Sequence, residues 1–349
     1  MFKPIILTCA ALLVAGTQLT TEYSPEKGFR VDIVSDLSMK TTSSSFERDG
    51  EPVERPGGGG DMSSSQKRHA AFVEKIVAVK EGKPTKLTRS FETLSGASTM
   101  NFGGEETTRE SEPQLQGVTL SLELGEGGEV EAKVVEGTSP SDKACLEGHH
   151  MELALDALLP SGEVADGASW ELDKDAVRRA LSLDMEKALF PRPAPTEGDA
   201  PRGGGGGGGG RFRGGSGGGD GRVLDLAEWE GKATLTAETV DRDGVACRVI
   251  SIELTAKGDL PEPERPEGGG RRGQALSFSS GPKAFATTYK VDLEGKLYFS
   301  ITDKRPVALE VEGSINLDTD TERTMRESTV RIRSTREGTF KQSVSISRP

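Results

Sequence analysis

Histidine, cysteine and aromatic residues are scarce in this chain of 349 residues, which has three His, three Cys, two Trp, three Tyr and twelve Phe. His69, His149 and His150 leave little material for imidazole catalysis or for a zinc site, which needs four tetrahedral ligands or three plus water. Cys9 lies in the first apolar stretch, so Cys145 and Cys247 are the only others, too few for a disulfide framework. No uncharged apolar run reaches the roughly 20 residues that cross a bilayer as a helix. Positive charge is also in deficit: 44 Lys and Arg stand against 56 Asp and Glu, a net charge of −12. An acidic chain is repelled by nucleic acid and by anionic lipid. Hydrophobic residues make up 33%, below the roughly 45–50% apolar content of average domains. The deficit is concentrated in a few Gly, Pro and Ser tracts, so the segments between them can still build a core.

The first residues have the plan of a secretory signal peptide. Met1-Phe2-Lys3 carries one positive charge, Pro4–Ala15 is uncharged and mostly apolar, and small residues follow at Ala15, Gly16 and Thr17. Cleavage after Gly16, with Val14 at the −3 position, is expected. It would remove Lys3, take the net charge to −13 and deliver the mature chain to the periplasm or the extracellular space. Cys9 is a poor lipidation site, because Ile6-Leu7-Thr8 precedes it and the apolar run lies downstream.

Four tracts punctuate the remainder. Thr41–Ser65 is rich in Ser, Thr, Gly and charge. Ser95–Gln114 is polar. Pro191–Gly221 holds eight consecutive glycines at 203–210, and Pro261–Gly273 reads PEPERPEGGGRRG. Such compositions bury too little apolar surface to offset ordering entropy and are expected as loops or linkers. The chain then divides into a leader at 1–16, a β-rich half at 23–190, a Gly/Pro linker at 191–222 and an antiparallel β half at 223–349. The two halves read equally as one continuous domain.

Between the tracts the dominant period is two. Val118, Leu120, Leu122 and Leu124 alternate with polar residues, and Glu126–Glu129 turns the chain into Val130, Ala132 and Val134. After the linker, Trp229, Gly231, Ala233, Leu235 and Ala237 alternate, Asp243-Gly244 supplies a tight turn, and Ile250, Ile252 and Leu254 return on one face. Tyr289, Val291 and Leu293 lead to an expected turn at Glu294-Gly295, from which Leu297, Phe299 and Ile301 come back. Lys304-Arg305-Pro306 turns again into Val307, Leu309, Val311, Ile315 and Leu317. Arg323–Arg333 and Thr339–Ser347 complete the strands. Helix is sparse. Asp173 is an N-cap for Lys174–Leu189, where Val177, Ala180, Leu181, Met185, Ala188 and Leu189 fall near one face and Pro191 stops the run. His150–Leu159 suggests a second short helix ending at Pro160.

These signals give a mainly β, α+β fold with one or two helices. A long antiparallel sheet with one apolar face must cover that face, so a strongly curved sheet, or two half-barrel sheets, wrapped on a central helix is the expected architecture. With the leader, the long strands, the central helix and the Gly167-Ala168-Ser169-Trp170 element, the chain resembles uncharacterised exported bacterial proteins. It is similar in outline to the LolA/LolB half-barrels. That resemblance implies an apolar cavity that carries acyl chains; it transfers no individual functional residue.

Individual motifs carry little chemistry. Gly214–Gly218 matches G-x-S-x-G formally but has no strand or helix beside it to form a nucleophile elbow. The polyglycine run lacks the βαβ frame of a phosphate loop. Cys145, His149 and His150 give C-x3-H-H, two ligand types with no second cluster, and read as a polar loop entering a helix. His69 reads as a polar residue leading into a strand. Asp318–Glu322 alternates acids as calcium loops do but lacks their Gly, and reads as a solvated turn. Arg211–Gly215 and Arg271-Arg272-Gly273 resemble RGG segments, whose single-stranded nucleic-acid binding is opposed by export and acidity. Trp170 and Trp229 read as core anchors or as lining of a ligand face. Cys145 and Cys247 either pair, closing a loop worth about 4–5 kcal/mol in the chain-entropy model, or remain separate buried thiols.

No catalytic, metal or cofactor set emerges. The residues favour a non-catalytic exported envelope protein that binds a lipid or other apolar or amphipathic ligand, or serves as a structural module. The alternatives are a protein-interaction module using its Arg/Gly loops to hold an envelope protein, and an enzyme with a carboxylate pair that the sequence does not single out. Nucleic acid and a membrane span in the mature chain are not expected.

Overall fold

The computed structural model describes residues 16–53, 62–191, 221–242, 244–261, 282–325 and 328–349. They form one 13-stranded sheet and a short helical segment. The strands are β1 (Gly28–Arg48), β2 (Glu51–Pro52), β3 (Met62–Lys80), β4 (Lys83–Phe102), β5 (Glu105–Glu110), β6 (Thr119–Leu124), β7 (Val130–Glu136), β8 (Ser169–Leu172), β9 (Trp229–Arg242), β10 (Val245–Asp259), β11 (Pro282–Ser300), β12 (Arg305–Met325) and β13 (Ser328–Ser347). Their order is β7-β6-β4-β3-β1-β13-β12-β11-β10-β9-β8, with β2 beside β1 and β5 beside β4. Every pairing is antiparallel, as successive hairpins require. The first and last long strands, β1 and β13, are neighbours, so the two blocks of strands share one sheet.

Six of the strands run 19–21 residues, roughly 60–70 Å at the usual rise. Each long strand has an apolar stretch and a polar one. Phe29, Val31, Ile33, Leu37 and Met39 of β1 are buried, as are Leu309, Val311, Ile315 and Leu317 of β12 and Phe340, Val344 and Ile346 of β13. Alternation puts them on one face of the sheet. Ile250, Ile252 and Leu254 of β10 and Val291, Leu293 and Leu297 of β11 continue the same layer.

Much of the first two polar tracts is strand, which corrects the expectation of loops there. β1 runs through the start of the first tract to Arg48 and β3 begins at Met62 within it; β4 and β5 occupy most of Ser95–Gln114. The physical reason is that a ladder satisfies the backbone regardless of burial. Hydroxyls add cross-strand pairs, with Ser38 Oγ 2.9 Å from Thr339 Oγ1 and Thr99 Oγ1 2.9 Å from Thr108 Oγ1. Residues 54–61, and most of the Pro191–Gly221 and Pro261–Gly273 tracts, lie outside the described residues.

Two further turns expected from composition are continuous strand, and one expected strand is a hairpin. β11 passes straight through Glu294-Gly295, where Gly295 pairs with Ile252 on one side and Val311 on the other. A Cβ there would collide with the carbonyl oxygen of Glu310, so this glycine serves close backbone approach and not a turn. Asp318–Glu322 lies inside β12, its Asp320 carboxylate 2.8 Å from Arg331 Nε. Arg323–Arg333 is not one strand: its first residues end β12, its last begin β13, and Met325 pairs with Ser328 across the hairpin.

The expected helix over 174–189 is two. α1 (Lys174–Ala180) starts as read, with Asp173 Oδ1 accepting from the Ala176 N–H at 2.8 Å. It ends at Ser182, which takes the left-handed conformation (φ +57°). Ser182 N–H donates to Arg179 O and Leu183 N–H to Arg178 O, both at 2.9 Å. This is a Schellman cap with Ser in the place usually held by Gly. α2 (Glu186–Leu189) is a single turn. The stretch 150–159 holds a 3-10 turn at Ala154–Leu158, preceded by another at Lys143–Leu146, and α3 spans Gly221–Leu226. Leu155, Leu158, Val177, Leu181 and Leu189 of this segment join the core layer of the sheet. Helix α1 touches β9, the Ala154–Leu158 turn touches β12, and the Lys143–Leu146 turn touches β7.

Candidate functional site

The helical segment meets the sheet through a buried polar centre. Phe72, Glu74 and Ile76 of β3 and Leu87, Arg89 and Phe91 of β4 occupy successive inward positions, so the alternation carries a charge of each sign into the core. Arg89 is 2% exposed and Glu74 is 3% exposed. Arg89 Nε donates to Glu74 Oε1 at 2.9 Å and Nη2 to the same oxygen at 2.5 Å. Nη2 also donates to His150 O at 2.9 Å, and Nη1 donates to His149 Nδ1 at 3.0 Å. The guanidinium carbon lies 5.0 Å from the Phe72 ring centre. His149 Nδ1 therefore accepts, and Nε2 carries the proton that goes to Cys145 O at 3.0 Å. Burial, and secondarily the Arg89 charge, hold the His149 pKa down to about 3. His150 is held down to about 4, first by burial and then by Arg179.

A second buried centre ties the amino-terminal stretch to the helical segment. Thr17 and Val164 exchange backbone hydrogen bonds at 2.7 and 3.1 Å, and Leu19 is buried. Thr21 Oγ1 donates to Asp156 Oδ1 at 2.6 Å, and Tyr23 Oη donates to Asp156 Oδ2. Tyr23 Oη accepts from Leu153 N–H at 2.7 Å. Burial raises the Asp156 pKa to about 6, against the two hydroxyl donors that lower it. Burial also raises the Tyr23 pKa, with the Asp156 charge adding to it.

Between β1, β3 and β13 on one side and residues 181–190 with α3 on the other lies a cavity that leaves about 50 Å³ to water-sized molecules. Ile33, Leu37, Leu189, Leu224 and Phe340 form its apolar wall. Its polar wall contains Arg68, which makes a bidentate pair with Glu186 at 2.5 Å on both arms and lies over Phe190 at 5.4 Å. Gln342 is 4% exposed, and among the described residues neither its Nε2 nor Ser182 Oγ has a hydrogen-bond partner. An orphan of this kind costs about 1–3 kcal/mol. At about 10–15 Å³ of such space per water molecule, the cavity has room for about three to five waters to serve them.

The residues singled out by sequence take structural places. Cys145 and Cys247 are free, buried thiols, in place of the disulfide that their long separation allowed. Burial raises the pKa of both. His149 spends both ring nitrogens on Arg89 and Cys145 O, so C-x3-H-H presents no free imidazole there. His150 Nε2 lies 3.6 Å from Asp184. His69 is inside β3, 3.2 Å from Asp32. Trp229 is buried and donates to Leu224 O, while half-buried Trp170 donates to Leu158 O, both at 3.0 Å. Both indoles thus anchor the helical segment to the sheet. Gly214–Gly218, Arg211–Gly215 and Arg271–Gly273 lie outside the described residues.

Sequence reasoning missed Glu74, Arg89, Asp156, Arg68 and Gln342. The available signal was a charged or amide residue on the apolar phase of an alternating strand, as at Glu74 between Phe72 and Ile76. Among the described residues no three His, Cys, Asp or Glu side chains converge as a metal group, and no helix is long and apolar enough to cross a membrane. No protein-family model matches the chain, and no curated protein matches it.

Proposed function

We propose that the protein is a non-catalytic, exported envelope protein that works as a structural module. Export rests on the leader-like plan of residues 1–16. The module reading is supported by one observation: residues of the helical segment pack into the apolar layer of the sheet, and the cavity between β1, β3, β13 and this segment leaves about 50 Å³. Sites for small organic ligands usually measure about 300–1,000 Å³, so this cavity has no room for an acyl chain.

We infer further that the sheet curls over this segment. Contacts from the segment reach β7 near one end of the strand order and β9 near the other, as a sheet curled over it would bring about. Three in-strand glycines support the curl. Gly295 faces Val311, two residues from Gly313, and Gly313 faces Phe340, two residues from Gly338. They step diagonally across β11, β12 and β13, and at each one a Cβ would strike the neighbouring strand. Glycines in such lines relieve crowding where a sheet bends. The outline resembles the LolA/LolB half-barrels with their cavity occupied from within.

A second reading, an amphipathic ligand held under α2, is favoured by the unpartnered Gln342 amide and Ser182 hydroxyl beside an apolar wall. It requires α2 to move aside. Native mass spectrometry of protein purified from its own envelope, with titration of a fluorescent fatty acid, separates the two. The module reading expects no co-purified lipid and no uptake; saturable uptake would replace it with the second. Detection of the mature chain inside the cell would remove the export claim.

A further inference from the structure

β7 is an open edge of the sheet, with β6 as its only hydrogen-bonded neighbour among the described strands. The chain leaves it on the side away from that edge. Gly137 lies against Gly117 and Val118 just before β6, and Ser141 N–H donates to Gln114 Oε1 at 2.7 Å. The phase of the ladder fixes which backbone groups are left over. Gly125 N–H donates to Glu129 O at 2.8 Å, so Glu123–Glu131 and Ser121–Lys133 are the hydrogen-bonded pairs further along the same register. On the other side of β6 the Phe91 N–H bond to Val118 O, at 3.0 Å, gives the same phase. The N–H and C=O groups of Val130, Ala132 and Val134 therefore face outward, and no described residue binds them. Their side chains pack against the core, while Glu131 and Lys133 are exposed on the opposite face.

We infer that two copies of this chain join through β7, antiparallel, about a two-fold axis at Ala132. With Ala132 opposite its own equivalent, Val130 faces the partner's Val134. The outward groups then meet as hydrogen-bonded pairs, each exchanging both of its bonds. On the core face, Leu124 and Val130 continue into the partner's Val134 and Leu120, and Leu122 and Ala132 into the partner's Ala132 and Leu122. Leu124, 40% exposed, is the open end of such a row. Charge selects the same register. Within the chain Glu131 stands opposite Glu123, a like pair that cross-strand contact penalises. Its neighbour across the seam is the partner's Lys133, in a non-hydrogen-bonded pair, where side chains approach closest. Lys133 already reaches Glu131 of its own strand at 2.9 Å and would bridge the two. A lysine on an edge strand usually deters pairing. Centring the axis on Val130 would set Glu131 against Glu129, and centring it on Val134 would set Lys133 against Val135. Only the axis at Ala132 opposes the lysine to an acid. The inference is independent of how the helical face is used and of where the protein resides.

The test is analytical ultracentrifugation of the full chain across a concentration series. A seam one short strand wide is small, so a monomer–dimer equilibrium with a dissociation constant on the order of 100 µM is expected. Ala132→Pro removes an outward N–H without touching the β6 ladder and should weaken dimers at least about tenfold. Glu131→Lys and Lys133→Glu each set like charges across the seam and should do the same. An equimolar mixture of those two variants should restore association to within about threefold of the native chain, because every acid then faces a lysine. Both charge changes are at exposed side chains, and unchanged urea midpoints show that the variants fold; if Ala132→Pro does not, the charge variants decide. A chain that stays monomeric throughout, charge variants that associate like the native chain, or a mixture no better than its components overturns the inference. So does growth beyond the dimer, which would mean that β7 pairs head to tail with β8 at the other edge.

Discussion

Replacing Arg89 with Met is the most demanding check on how the helical segment is held. The guanidinium is 2% exposed and makes two hydrogen bonds to Glu74, one to His149 and one to His150 O. Met preserves much of the side-chain length and removes every donor. Glu74, 3% exposed, would be left as a buried carboxylate with no counter-charge. Removing one member of such a pair typically costs about 3–5 kcal/mol, far more than the pair contributes as a whole. Equilibrium urea unfolding, followed by far-UV dichroism and by tryptophan fluorescence to test two-state behaviour, measures the loss. Glu74→Gln alone should also be costly, because it strands the cation. The double variant Glu74→Gln/Arg89→Met should cost at least 2 kcal/mol less than the sum of the singles, since both charges are then gone. A loss below about 1 kcal/mol for Arg89→Met, or additive singles, would refute the picture of a desolvated, mutually dependent pair.

Four other outcomes are expected. Because His149 is held down to about 3 and an unfolded His titrates near 6.5, the unfolded chain binds the extra proton between those values. Stability should therefore fall as pH drops from about 6.5 towards 3, and His149→Gln should flatten that slope in urea midpoints taken across the range. Asp156 is shifted the other way, up to about 6, so its contribution is present in acid and lost as pH rises from about 4 through 6; Asp156→Asn should remove this opposing slope in the same titration. Ser182→Gly should stabilise by about 0.5–1 kcal/mol in urea unfolding, since Gly adopts the left-handed cap without a Cβ penalty and removes an unpartnered hydroxyl. Gly313→Val should destabilise by at least 2 kcal/mol or prevent folding, because its Cβ would strike Asp292 O; a neutral result in thermal unfolding would show that β11 and β12 can separate there at no cost.

Much of the fold was legible because one-sided burial in a strand imposes a period of two. The alternations at Leu120–Leu124, Trp229–Ala237 and Val245–Leu254 sit in β6, β9 and β10. Gly244 lies at the hairpin between β9 and β10, where its N–H donates to Asp241 Oδ1 at 2.9 Å; Asp243 lies outside the described residues. Apolar content was a poor guide to strand ends. β1 through Arg48 and β5 are held by their ladders, which composition does not reveal. A glycine in an alternating run has two meanings, turn or close approach, and only the neighbouring strand tells Gly295 from Gly244. The split of the 174–189 helix was hidden for a similar reason: Ser182 carries none of the Gly signal that usually marks a left-handed cap.

The sequence by itself determined that this chain builds antiparallel strands with one apolar face, starts a helix at Asp173 and has little material for metal or imidazole chemistry. Those properties are local, set by side-chain alternation, capping and composition. Only the tertiary structure decided that β1 lies beside β13, that the helical segment packs against the apolar layer of the sheet, and that Glu74 meets Arg89 and Thr21 meets Asp156. Each of these joins residues 15 to more than 300 positions apart. Such pairings follow from which surfaces can be buried together, a property of the assembled chain that no window of sequence contains.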